Sequence, residues 1–141
     1  MPAGARPLAV ALAALLGAAT LAACSANPTA DAAQTRCGSY AIPQGTPGIP
    51  ADLLTCLSSA YADGRTATLA VTELTTEGAP VVTTYTTTPA RTLDVVVDST
   101  ADKFGPGGIA HYECNAATFT LGRVDVAGCA TLARPRESPS D

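Results

Sequence analysis

The sequence predicts an α+β domain: one N-terminal helix packed on a four- to five-stranded antiparallel meander sheet, stapled by two disulfides. Three observations predict it. Leu53, Leu54, Leu57, Ala60 and Tyr61 recur at helical spacing. From Thr66 onward the pattern changes to period two, in short Thr- and Val-rich runs separated by Gly and Pro breaks. Four of the five cysteines, Cys37, Cys56, Cys114 and Cys129, lie in or ahead of this patterned region.

A length of 141 residues allows one domain. The hydrophobic content of 47% is raised by the N-terminal segment; beyond it the chain is rich in Thr, Ala and Val. With two Phe, four Tyr and no Trp, the core must be built mainly from Val, Leu and Ile. The net charge is −4, and the basic residues stand singly along the chain. Without a basic stripe there is no electrostatic footprint for nucleic acid.

Arg6 is the only charge ahead of an apolar run from Leu8 to Ala23. That run is shorter than the ~20 residues of a spanning helix and suits the core of a signal peptide. It ends Leu21-Ala22-Ala23-Cys24, which resembles the lipobox of bacterial lipoproteins. The resemblance implies a diacylglycerol thioether on Cys24 and cleavage just before it. Residues 1–23 are then a signal peptide, and the protein is held by membrane lipid on the extracytoplasmic face of the cell membrane. The plainer alternative is a secretory signal that happens to contain a cysteine. Two acyl chains, at roughly 0.8 kcal/mol per buried CH₂, suffice for a stable anchor. Residues 24–36 read as a tether with no strand pattern and a reach of roughly 20 Å. Residues 134–141, polar and Pro-containing, read as a disordered tail, leaving 37–133 as the domain.

Four cysteines beyond Cys24, in an exported chain, imply two disulfides among three possible pairings. Cys37–Cys56 and Cys114–Cys129 are favoured because they are local and respect the strand order. Each loop closure is worth about 3 kcal/mol in the chain-entropy model. A metal site competes weakly, since there is no C-x-x-C and His111 is the only histidine. No cofactor motif is present.

Along the domain, Gly38 to Pro50 reads as loop, with repeated Pro and Gly. The helix follows, with Asp52 in its first turn and Asp63-Gly64 as its stop. Cys56 sits in mid-helix, so its disulfide would pin that loop across the helix. Thr66–Leu74, Pro80–Thr88 and Arg91–Asp98 read as strands, and Ile109–Cys114 with Thr118–Cys129 supply one or two more. The Thr-rich face opposite the helix is expected to be solvated.

The stretch Thr76-Glu77-Gly78-Ala79-Pro80-Val81, the run Asp98-Ser99-Thr100-Ala101-Asp102-Lys103-Phe104-Gly105, and the late Cys114 and Cys129 resemble a family of small bacterial proteins known as a domain of unknown function. The likeness covers about residues 53–130, with Ala79 where the family carries Asp. It implies one compact domain and supports a Cys114–Cys129 pair; it implies no activity. In that reading Asp98, Asp102 and Lys103 fix a loop by hydrogen bonds and Phe104 is its hydrophobic plug.

Candidate chemistry is sparse. The oxygens of Asp98–Asp102 fall short of a calcium loop and suit a turn. Ser58 and Ser59 lie on the helix, and no G-x-S-x-G supplies a nucleophile for His111. Glu73 and Glu77 are a possible carboxylate pair for glycoside chemistry, but the sequence announces no cleft and no aromatic platform. The expectation is therefore a membrane-anchored envelope lipoprotein with a non-catalytic binding domain and an envelope protein partner. One alternative is a small envelope hydrolase or accessory built on His111, Glu113 and the Asp98–Lys103 loop. The other is a structural envelope protein.

Overall fold

A computed structural model describes residues 34–46 and 48–133. The expected signal segment, Cys24, residues 24–33 of the expected tether and the tail lie outside the described residues.

The elements are β1 (Thr35–Ala41), α1 (Ala51–Asp63), β2 (Ala67–Leu74), β3 (Pro80–Thr87), β4 (Leu93–Asp98), β5 (Ile109–Thr120) and β6 (Arg123–Thr131). They form one helix and one six-stranded sheet in sequential order. The α+β class and the single N-terminal helix agree with the sequence. The sheet differs from expectation in two ways: it has six strands, and it is mixed, because β1 pairs with β2 in parallel while every later pair is antiparallel.

β1 is the strand the pattern hid. It occupies the first part of the segment expected to be loop, and it takes in Thr35 and Arg36 from the expected tether. Only Cys37 is buried, so no run of alternating apolar residues marks it. Gly38 at φ +117 and a register shift between Arg36 and Gly38 break its regularity further. Running parallel to β2, β1 needs a crossover, and α1 provides it.

Pro50 caps α1 at its N-terminus with φ −55°, and Asp52 lies in the first turn. Gly64 ends it in the left-handed region at φ 63°. The Gly64 N–H donates to Tyr61 and the Arg65 N–H to Ala60, the paired bonds of a Schellman stop. Leu54, Leu57 and Ala60 point inward onto Ala67, Leu69 and Val71 of β2. Fully burying a leucine such as Leu57 contributes about 1.5–3 kcal/mol.

The helix lies chiefly over β1 and β2, and its Tyr61 reaches the cluster of Leu93, Val95 and Cys114 on β4 and β5. The other half of that face is covered by the far end of the β5–β6 hairpin. In-out alternation along β5 slips after the buried Cys114: Asn115 and Ala116 are both exposed, and Ala117 and Phe119 then turn inward. Opposite the slip, Gly128 sits at φ +61, where any Cβ would collide with the Asn115 side chain. Beyond it the hairpin folds over the sheet, its Phe119 edge-on to Tyr61 at 5.6 Å between ring centroids. A two-residue turn, Leu121 at φ 42 and Gly122 at φ 81, closes the hairpin. The sequence reading divided this region near residues 115–117, where the period-two pattern fails.

Both disulfides are the pairs expected. Cys37–Cys56 ties β1 to mid-helix rather than a loop to the helix, with Cα atoms 5.7 Å apart. Cys114–Cys129 joins directly opposed residues of β5 and β6, Cα atoms 3.9 Å apart.

Candidate functional site

Strand register sorts the candidate residues. Ala67, Leu69, Val71 and Glu73 alternate onto the helix-side face of β2. Tyr85 of β3 lies across from Leu69 and Val95 on the same face and packs against both core clusters. Thr68, Thr72, Thr84 and Thr86 alternate to the opposite, open face, as the Thr-rich pattern implied, and all are half-buried there.

The curled hairpin creates a cleft that the sequence did not announce. The Ile49 N–H donates to the Gly122 carbonyl at 2.9 Å, seating the hairpin tip on the β1–α1 loop. Gly48 permits this approach, since a Cβ there would sit 2.5 Å from the same oxygen. Between the tip and the sheet lies a cleft of about 230 Å³. Ile42, Ile49, Val71 and Val124 stand among its lining residues, but its open surface is mostly polar, with Glu73, Tyr85, Arg123 and Asp125 around it. Glu73 and Asp125 are both exposed, and the Thr120 hydroxyl reaches an Asp125 carboxylate oxygen at 3.5 Å. Burial pushes the Tyr85 phenol above the usual tyrosine range, and the negative charges of Glu73 and then Asp125 push it further. Glu73 was a sequence candidate, but its cleft partner is Asp125, not Glu77. The pairing depends on the fold-over of β6, and nothing local to either residue signals it.

A larger hollow of about 510 Å³ adjoins the same tip, lined by Tyr40, Pro50, Ala51 and Leu121 among others. Leu121 is 96% exposed.

The Asp98–Gly105 segment is a turn held by its own side chains. The Asp98 carboxylate accepts from the Thr100 hydroxyl at 2.7 Å and the Thr100 N–H at 3.0 Å, which hold it below the usual carboxylate range. Asp102 accepts from the backbone N–H groups of Phe104 and Gly105. Ser99 donates through both its N–H and its hydroxyl to the Gly108 carbonyl. Two expectations are corrected here. Lys103 is exposed and is not among the groups that fix the loop. Phe104 is 80% exposed, so it plugs nothing: the two N–H bonds to Asp102 hold the chain in a turn that points the ring to solvent.

His111 lies in β5 opposite Val96, with Glu113 two residues on and opposite Asp94, all on the open face. Ser58 donates to the Thr55 carbonyl within the helix, on the other side of the sheet. Among the described residues no group of three His, Cys, Asp or Glu side chains is placed to hold a metal ion. Among them, too, no helix is long and apolar enough to cross a membrane.

No family model, no curated protein and no solved structure matches the chain.

Proposed function

We propose that this chain is an exported, lipid-anchored protein of the cell envelope whose folded domain binds a partner and catalyses no reaction. The observation that carries it is the cysteine pattern. Two disulfides use Cys37, Cys56, Cys114 and Cys129, as suits an oxidising compartment, and leave Cys24 as the odd thiol at the end of Leu-Ala-Ala-Cys. A diacylglycerol on Cys24 would place the domain a short tether away from the membrane surface.

The site geometry supports binding over hydrolysis. A hydrolase built on His111 needs a nucleophile and an orienting carboxylate beside it. Glu113 lies on the same face as His111, but the serine candidate Ser58 lies on the helix side of the sheet, and the Asp98 carboxylate is engaged by Thr100. The cleft under the hairpin instead gathers Glu73, Tyr85, Arg123 and Asp125 around a small, mostly polar hollow, groups suited to hydrogen bonds and ion pairs with a partner.

Mass spectrometry of the protein purified from membranes tests the anchor. Wild type should carry a diacyl increment on a chain beginning at Cys24, and Cys24→Ala should lack it and leave the membrane fraction. A wild-type chain without the increment sinks the anchoring claim. Cross-linking on intact cells tests the domain; His111→Ala should preserve the cross-linked partner. Absence of any specific adduct would overturn the binding reading.

A further inference from the structure

We propose that the open face of the sheet, opposite the helix, packs on the same face of a second copy of this chain, giving a two-fold symmetric β-sandwich. This goes beyond partner binding at the cleft, leaves that cleft free and needs no lipid anchor.

The make-up of the face comes first. Its cross-strand neighbours form rows, each running from β1 towards β6. One end row is Arg36, Thr68, Thr86, Asp94 and Glu113. The middle row is Ser39, Ala70, Thr84, Val96, His111 and Leu132, with no carboxylate, lysine or arginine. Asp98 stands in the row beyond, next to the exposed Ile109. A sheet face left to water is ordinarily polar along its whole length. An uncharged centre within a charged rim is instead the anatomy of a protein–protein interface. Short, branched side chains such as Thr84 and Val96 suit two sheets stacked about 10 Å apart, their strands within about 30° of each other.

Self-complementarity says that the occupant is a second copy. A two-fold interface brings one patch onto itself. With the axis along the strands, between β3 and β4, the β1–β2 margin of one copy lies over the β5–β6 margin of the other, and each row stays in line. In the end row Arg36 comes over Glu113 of the second copy, with the Thr68 hydroxyl beside them. Among the described residues neither Arg36 nor Glu113 has an ion-pair partner in its own chain. In the middle row the hollow of about 450 Å³ over Gly38, Ser39 and Ala70 receives Leu132. Charge and shape thus match under one operation, and each match occurs twice. An axis across the strands would instead set Asp94 against Asp98 and Glu113 against Ile109. Such like-charge and carboxylate-on-apolar contacts are costly. The axis along the strands also keeps both Thr35 entry points at one end of the sandwich, so two chains with lipid on Cys24 can stand on the same membrane.

The test is sedimentation equilibrium of the purified chain, as wild type and as Cys24→Ala, with circular dichroism to check the fold of every variant. Both should be dimers. Thr84→Arg, at the centre of the face, should leave a folded monomer. Arg36→Glu and Glu113→Arg should each weaken the dimer at least tenfold, and the two together should restore most of that loss. If Thr84→Arg unfolds the chain, the charge pair decides by itself. A wild-type chain that stays monomeric at millimolar concentration, a dimer indifferent to Thr84→Arg, or a charge reversal that restores nothing would each overturn the proposal. So would a dimer that needs Cys24, because the contact would then lie in the anchor. Cross-linking on intact cells separates this proposal from partner binding: adducts with another protein and none of two chains would sink the second copy and leave the partner-binding reading standing.

Discussion

The Thr87 hydroxyl accepts a hydrogen bond from the Ala67 N–H at 2.8 Å and donates to the Arg65 carbonyl at 2.6 Å, with Thr87 and Ala67 both fully buried. One side chain thereby locks the end of β3 to the chain leaving α1. Thr87→Val keeps the shape and removes both bonds. It should cost about 1–3 kcal/mol in urea unfolding, the penalty for stranding buried backbone groups. Thr87→Ser should recover most of that loss.

Gly48 and Gly122 set how closely the hairpin tip approaches the β1–α1 loop. Gly48→Ala places a methyl against the Gly122 carbonyl at a residue whose φ is +119. The Ile49–Gly122 hydrogen bond should break, and amide exchange at Ile49 should accelerate well beyond that of Leu57. The global cost should be about 1–3 kcal/mol, the usual range for backbone strain. Unchanged exchange at Ile49 would show that the tip is held by other contacts.

Leu121→Asn acts in the opposite direction. Asn tolerates the left-handed region and suits the turn, so the variant should gain about 0.5–1 kcal/mol in thermal or chemical unfolding. A loss of stability would mean that Leu121 contributes packing its exposure does not reveal.

Tyr85 gives a pH-dependent signature. Its phenol ionises at higher pH in the folded protein than in the unfolded chain. The neutral phenol therefore favours the native state fully below the unfolded value of about 10, and this contribution is lost as pH rises through the folded value. Absorbance titration should show one tyrosine ionising late. Glu73→Gln and Asp125→Asn should each bring it earlier, less than denaturation does, because burial is the larger cause.

Much of this fold is legible where one physical signal dominates. The leucine face of α1, the Gly64 stop and the alternation of Ala67, Leu69 and Val71 each follow from a single local period. Both disulfides follow from short loop closure and strand order. β1 escapes because an edge strand with one buried residue has no period to show. The β5–β6 hairpin was blurred because its alternation slips at Asn115, and its turn carries Leu121 where Asn, Asp or Gly is expected. The cleft was illegible for a third reason: Glu73 and Asp125 line one hollow only after β6 folds over, a juxtaposition of distant segments that no local pattern encodes. Phe104 shows the converse error, in which an apolar residue inside a motif was assigned to the interior although the Asp102 turn points it outward.

The Cys37–Cys56 bridge also decides how the domain bears mechanical load. Any pull on the N-terminal segment enters the fold at Thr35 and reaches Cys37 two residues later. There the covalent link carries the tension into the middle of α1, so the hydrogen bonds between β1 and β2 beyond Cys37 are shielded from it. Oxidised, the domain should resist extension from this end until the helix itself is pulled from the sheet. Reduced, β1 should peel away one residue at a time under far smaller forces, exposing the apolar flank of β2 while the remaining strands stay paired.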